Sequence, residues 1–364
     1  MSRFSLNPPP VRSRTWILVL LGVIISLIAL TSLVNYLVNP YATFEQDEEC
    51  QMNCKTGHLI SDRMTKFYKF NHSHAETIIM GTSRSGLFSP EILEPYAPKP
   101  LFNFSLAGSN IEEQAAYIRF AVTQGEVKHV LWALDFFSFN PTKAPQSDFK
   151  EERLSSSIYW PDYGVSLFNF GTLKNSFSTL KENYPFQKQS RKAFAKEAHS
   201  ALREHRFSEQ RLDANINHTL NEYAREKSFL NSPLMKEPSS LKNPLTHVSD
   251  IIALCEQNGA TLHIYTSPVY KKHLSMYREL GLYESFAAWK KALSEMTDYT
   301  DFALCNSVTD EKQNFRDSSH IRSDYGYTIS KIIYASADTN DFAKHVTSDN
   351  IDQHLKEQYK KCFD

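Results

Sequence analysis

The chain has 364 residues, 41% of them hydrophobic and 22% charged, with 11 Gly and 16 Pro. That composition excludes a collagenous, low-complexity or wholly disordered chain and allows one large domain or two small ones. Lys and Arg number 40 against 41 Asp and Glu, so the net charge of −1 disfavours a uniformly basic nucleic-acid binder, and the mean hydropathy of −0.43 excludes a polytopic transporter.

Residues 1–15 carry Arg3, Arg12 and Arg14 and no acid. Trp16 to Val38 (WILVLLGVIISLIALTSLVNYLV) then runs for 23 residues without a charge, and about 20 apolar residues span a bilayer core. Trp16 and Tyr36 stand near its ends, where amphipathic rings favour the headgroup level. Beyond it come Glu45, Asp47, Glu48 and Glu49. The positive-inside rule predicts a cytoplasmic tail over 1–15, a transmembrane anchor over 16–38 and the rest of the chain outside. A cleaved signal peptide has a shorter apolar core and a small-residue cleavage site, which NPYATF does not offer. Residues 39–75 read as a polar connector with one helix around Ser61–Phe70.

Four short apolar runs end in turn residues. Glu76–Met80 stops at Gly81-Thr82-Ser83, Leu101–Ser105 leads to Gly108, His129–Leu134 to Asp135, and Thr261–Thr266 to Ser267-Pro268. Such runs read as buried parallel strands. Helical patterns lie at Asn110–Thr123, Val248–Gln257, Glu284–Glu295 and Asp324–Ala337. The alternation predicts an α/β domain over 76–364 with a mostly parallel sheet. A helical insertion, Asn140–Leu245, separates the third and fourth strands. From Lys174 to Arg211 it holds nine Lys/Arg and four Glu, either a solvated face or a contact for anionic headgroups or polymers.

An exported domain can oxidise its cysteines. Cys50 with Cys54 is one candidate pair, Cys305 with Cys362 a second, and Cys255 reads as a buried free thiol. No His/Cys pair completes four ligands around Cys50 and Cys54, so no metal is expected there.

Ligands of open α/β sheets bind beyond the carboxyl ends of the strands. There the sequence places Ser83 and Arg84, Gly108 and Asn110, and Asp135, with Asp317-Ser-Ser-His320 late in the chain. A serine is a weak nucleophile until a base takes its proton, and a carboxylate holds that base in the right tautomer. Asp317 and His320 are three apart, one turn, so they suit that pair. The backbone N–H groups of Ser83 and Gly108 suit an oxyanion hole. The plainer alternatives are a helix cap for Ser83 and a surface role for His320.

This order of blocks resembles the SGNH (GDSL-like) hydrolase and acyltransferase superfamily. That superfamily carries Gly-Asp-Ser after the first strand, Gly after the second, Asn after the third, and a late Asp-x-x-His. NPYATF, IIMGTSRSG and DSSH with its following Gly-Tyr look like its membrane-anchored bacterial envelope members, the alginate O-acetylation and teichoic acid D-alanyl transfer proteins. The resemblance covers about Thr77–Ala337 outside the insertion. It implies a flavodoxin-like three-layer α/β/α domain, Ser83 as nucleophile, His320 as general base, Asp317 as its orienter and Gly108 as an oxyanion donor. Thr82 replaces the usual Asp, and Asp135 replaces the third-block Asn. An ionised carboxylate repels an oxyanion. Asn110, Asn140 or Arg84 would then substitute, with Asp135 holding Arg84 or capping a turn.

The expectation is a single-pass protein of the bacterial cytoplasmic membrane whose outer domain transfers or hydrolyses acyl esters. Its substrate is expected to be an envelope glycan or acyl donor, and a membrane-bound acyl-transfer protein is an expected partner; no cofactor and no nucleic acid are expected. The rival readings are a catalytically inactive SGNH-like binding or assembly module for envelope glycans, and an anchored structural protein of unrelated α/β fold.

Overall fold

The computed structural model describes residues 11–44, 62–155, 158–183, 208–225, 228, 230–335 and 341–364. The pair Cys50/Cys54 and the four acids from Glu45 to Glu49 lie outside the described residues. In chain order the first elements are α1 (Val11–Val38), α2 (Asp62–Asn71), β1 (Thr77–Met80), α3 (Ser83–Gly86) and α4 (Pro90–Leu93). There follow β2 (Leu101–Asn103), α5 (Ile111–Thr123), β3 (His129–Leu134), α6 (Glu151–Ser155), α7 (Trp160–Phe168) and α8 (Phe170–Asn183). Next come α9 (Glu209–Ala224), α10 (Lys242–Gln257), β4 (Thr261–Thr266), α11 (Lys271–Glu279), α12 (Tyr283–Met296) and β5 (Tyr299–Asp301). The last are α13 (Ser307–Asp310), α14 (Tyr325–Ala335), β6 (Lys344–Val346) and α15 (Ile351–Phe363). The chain divides into two compact units, one of Met1–Lys69 with Ser156–Phe194, the other of Phe70–Ser155 with Ala195–Asp364.

In the first unit, Arg14–Val38 of α1 is 25 residues long and apolar enough to cross a bilayer, as an anchor or a signal sequence is. Its side chains from Arg14 to Leu30 are exposed all round, and burial begins at Thr31. Part of the expected insertion, α7 and α8, packs there. Asn35 is fully buried, donates to the carbonyls of Leu167 (3.0 Å) and Asn169 (3.4 Å), and accepts from Ser176 Oγ (3.0 Å). Thr43 Oγ1 lies 2.7 Å from Ser166 Oγ, and Tyr68 donates to Asp162.

The second unit holds one six-stranded sheet in the order β2-β1-β3-β4-β5-β6. Five strands run parallel, and β6 pairs antiparallel to β5. β1 is buried at every position and β3 at all but its first, the two-sided burial that a parallel sheet demands. One face sets Ile79, Leu131, Ala133 and Tyr265 in a cluster with Ile329 and Ile332 of α14. From the opposite face Trp132 Nε1 donates to Gln114 of α5 at 2.9 Å. β2 ends at Asn103, short of its apolar run, and the Asn103 side chain ties down the chain on either side. Its Oδ1 accepts from Ser105 N (3.0 Å), and its Nδ2 donates to the carbonyls of Ser85 (2.9 Å) and Phe88 (2.6 Å).

The C-terminal edge is tied on in two ways. Asp301, at the end of β5, accepts from Thr266 Oγ1 (2.6 Å), Lys290 Nζ (2.6 Å) and His354 Nε2 (2.7 Å). Burial raises its pKa, but Lys290 and His354 outweigh that and hold the carboxyl far below the usual range. Cys305 is disulfide-bonded to Cys362 near the end of α15, and Cys255 is a buried free thiol, raised by burial to about 11. Cys362→Ser is expected to cost about 2–4 kcal/mol, because the bridge closes a long loop. Urea midpoints with and without reductant check this: reductant lowers the wild-type midpoint, and an unchanged midpoint contradicts it.

Candidate active site

The turn after β1 begins at Gly81, which has no room for a side chain. A Cβ there would approach Ala133 Cβ to 2.8 Å and Ala133 O to 2.9 Å. Gly81→Ala is expected to destabilise the fold by about 1–3 kcal/mol, the usual cost of overpacking, and thermal unfolding reads it. Thr82 is the N-cap of α3: its hydroxyl accepts from Arg84 N at 3.3 Å. Ser83 is therefore not the cap, and its hydroxyl is left for another partner.

That partner comes from the other end of the chain. Phe315 and Ile321 form an antiparallel bridge, and Arg316 N bonds the His320 carbonyl at 2.9 Å, so residues 315–321 make a tight loop. Within it Asp317 Oδ1 accepts from the backbone N–H groups of Ser319 (2.7 Å) and His320 (3.0 Å). Its carboxylate lies 2.9 and 3.0 Å from His320 Nδ1, and His320 Nε2 lies 2.8 Å from Ser83 Oγ. A carboxylate only accepts, so Nδ1 carries the proton and Nε2 is left to accept from the serine hydroxyl. All three side chains are partly exposed. The structure thus brings together Ser83, Asp317 and His320 from positions 237 residues apart.

Burial raises the Asp317 carboxyl pKa, but the His320 imidazole and the two backbone N–H groups outweigh it and leave it below the usual value. A depressed carboxylate pKa stabilises the fold above the unfolded value of about 3.9. That contribution is lost as the pH falls through the lower folded value. An acid titration should therefore show Asp317→Asn losing less stability than wild type below about pH 4; an equal loss contradicts this.

Gly108 sits at φ +61, where glycine is favoured. Its loop is laid beside the Ser83 turn, because Phe104 N and Leu106 N continue the strand pairing to the carbonyls of Ile79 and Gly81, both at 2.8 Å. Among the described residues neither the Ser83 nor the Gly108 backbone N–H has a hydrogen-bond partner. The Asn110 amide is engaged elsewhere. Asn110 caps α5, accepting from Glu113 N (2.9 Å) and donating to the Lys143 carbonyl (2.8 Å). Asn140 Oδ1 accepts from Thr142 N and Oγ1 and from Ser232 Oγ.

Asp135 and Arg84 form a buried pair. Asp135 accepts from Arg84 Nη1 at 2.9 Å and from Thr82 Oγ1 at 2.5 Å, so it grips both neighbours of Ser83. It opens a 3-10 turn without capping it. Arg84 also donates from Nε to Ser319 Oγ (2.9 Å) and from Nη2 to His273 Nε2 (3.3 Å), and it lies 5.1 Å from the Phe137 ring centroid. Burial lowers the Arg84 pKa, but Asp135 outweighs it and keeps the guanidinium charged. Burial, then the charges of Arg84 and His320, push the His273 pKa well down. The imidazole is neutral, with Nδ1–H toward Ser318 Oγ at 3.3 Å. Sequence reasoning missed Ser319, His273 and Tyr223, whose hydroxyl meets Ser319 Oγ at 3.1 Å. The one signal for Ser319 was its place beside His320.

A surface cleft of about 500 Å³ is lined by Gln313, Asn314, Arg322, Asp324, Tyr325 and Thr328, at the base of the His320 loop. None of the three triad side chains lines it. No group of His, Cys, Asp and Glu suited to a metal ion occurs among the described residues. No protein-family model matches the chain, and no curated protein matches it.

Proposed function

We propose that the protein is a serine-dependent acyl-ester transferase or hydrolase acting outside the cytoplasmic membrane on an acylated envelope glycan. The observation that carries this is the unbroken hydrogen-bond relay Ser83–His320–Asp317. In this reading Ser83 Oγ attacks the acyl carbonyl while its proton passes to His320 Nε2. Asp317 holds Nδ1–H and stabilises the imidazolium. The oxyanion sits between the Ser83 and Gly108 N–H groups. The alkoxide leaves with the proton from His320, and water or a sugar hydroxyl then takes the acyl group from Ser83.

The strand order β2-β1-β3-β4-β5, with helices packed on both faces, supports the flavodoxin-like, SGNH-type reading of the second unit. The Cys305–Cys362 bridge supports an oxidising compartment. Arg3, Arg12 and Arg14 support a cytoplasmic N-terminus, with α1 as an uncleaved anchor. One observation favours the catalytically inactive binding module instead: Asp135 stands where the family has a donor and leaves two backbone groups to do the work. Fluorophosphonate labelling of the full chain separates the readings. The wild type labels and Ser83→Ala does not; an unlabelled wild type, or equal labelling of both, overturns the enzyme reading. Labelling without turnover of aryl acetates indicates a transferase that needs its acceptor.

A further inference from the structure

The exposed apolar side chains of the first unit are not confined to α1. On α7 Trp160 is 72% and Phe168 60% exposed, and on α8 Phe170 is 70% and Phe177 60% exposed. Scattered exposed aromatics need no explanation, but these are ordered. Phe170, Lys174, Phe177 and Lys181 follow the spacing i, i+4, i+7, i+11, which puts them on one stripe of α8, and all four are exposed. Trp160 and Phe168 are eight apart, on one face of α7. The inward faces are polar and satisfied: Ser166, Asn175 and Ser176 bond to Thr43, Tyr41 and Asn35.

The level at which α7 and α8 meet α1 is set by Asn35. Its amide bonds the Leu167 and Asn169 carbonyls, so Phe168 and Phe170 flank a residue fixed at the height of Asn35. Asn35 is three residues inside the end of the span at Val38, about 5 Å at 1.5 Å per residue. Amphipathic helices seat their apolar faces about 5–10 Å into the boundary of headgroups and acyl chains. Thr31, Asn35 and Val38, one face of α1, are buried, while the span before Thr31 is bare. A bilayer that reaches the end of the span at Val38 therefore takes in the level of Phe168 and Phe170.

We propose that α7 and α8 form a second, non-spanning membrane contact. Trp160, Phe168, Phe170 and Phe177 enter the boundary of the leaflet at the C-terminal end of α1, and Lys174 and Lys181 extend to anionic lipid phosphates. Phe rings sit in the acyl boundary, Trp favours the headgroup level, and lysine stems lie along apolar surface with their ammonium groups outward. The proposal rests on the reading of α1 as a membrane span.

Depth-dependent quenching tests it. The full chain carrying Trp16→Phe and Trp160→Phe is reconstituted in vesicles of phosphatidylcholine and phosphatidylglycerol. The remaining Trp132 and Trp289 are buried and give a constant background. Phe170→Trp is the reporter, Phe177→Trp a second reporter on the same stripe, and Leu33→Trp, exposed on α1 about 8 Å inside its Val38 end, the control within the span. Lipids brominated near the glycerol end of their chains are expected to remove most emission from both stripe reporters, and aqueous iodide to leave it. If the control is quenched and the stripe reporters are not, the second contact is wrong, whether iodide reaches them or a protein surface covers them. If the control also escapes quenching, the membrane reading falls and this proposal with it.

Discussion

His320→Ala is expected to abolish fluorophosphonate labelling, and Asp317→Asn to slow it by about 10⁴-fold, the scale on which triads lose activity when the imidazole tautomer is wrong. The two losses have different causes. In the proposed mechanism, alanine removes the group that would take the Ser83 proton across 2.8 Å. Asparagine preserves an acceptor for the Ser319 and His320 N–H groups, so the loop stays closed. Its amide, however, can donate to Nδ1, which places the ring proton on Nε2 and denies Ser83 its base. Labelling rates under pseudo-first-order conditions, with unfolding midpoints as a fold control, check this. Either folded variant labelling within tenfold of wild type contradicts the assigned roles.

Asp135→Asn is expected to destabilise the second unit by about 3–5 kcal/mol, the range for removing one partner of a buried ion pair. Arg84 is 5% exposed, and Asp135 is its carboxylate partner at 2.9 Å. The substitution introduces the residue type that the superfamily this chain resembles carries in the third block. If Asp135 were a degenerate oxyanion donor, asparagine would raise the labelling rate on a stable fold. The structure gives it a different task. It grips Thr82 and Arg84 on either side of Ser83, and Arg84 reaches Ser319 beside His320. The pair thus couples the turn that carries Ser83 to the loop that carries His320. Unfolding midpoints and labelling rates on the same samples distinguish the cases: a stable, faster variant contradicts the clamp.

The strands legible in the sequence are apolar runs bounded by turn residues, and burial is near-complete in β1 and β3 but only partial in β2 and β4. His129–Leu134 and Thr261–Thr266 are bounded as their apolar runs are, because turn residues stop them. The sheet continues through β5 and β6, which no pattern announced. Each has three residues, too few for a period to show, and β6 (KHV) is an edge strand with two exposed positions. Helix α15 is equally hidden, although its Cys362 belongs to the second of the two candidate pairs and is bonded to Cys305. At the site, strand-ending glycines and a late Asp-x-x-His marked Ser83, Gly108, Asp317 and His320 by position. The charge argument against Asp135 as a donor pointed to Arg84. The rest of that network joins Arg84 to His273 and Ser319 across 189 and 235 residues, and such pairings follow from the packed sheet rather than from any local pattern.

The most direct test of the account is to locate the covalent adduct. The full chain is reacted with a fluorophosphonate, digested and mapped by mass spectrometry. The account predicts one phosphonylated residue, Ser83, with no adduct after His320→Ala. An adduct on Ser85, Ser319 or another hydroxyl, or none on the folded wild type, would contradict it.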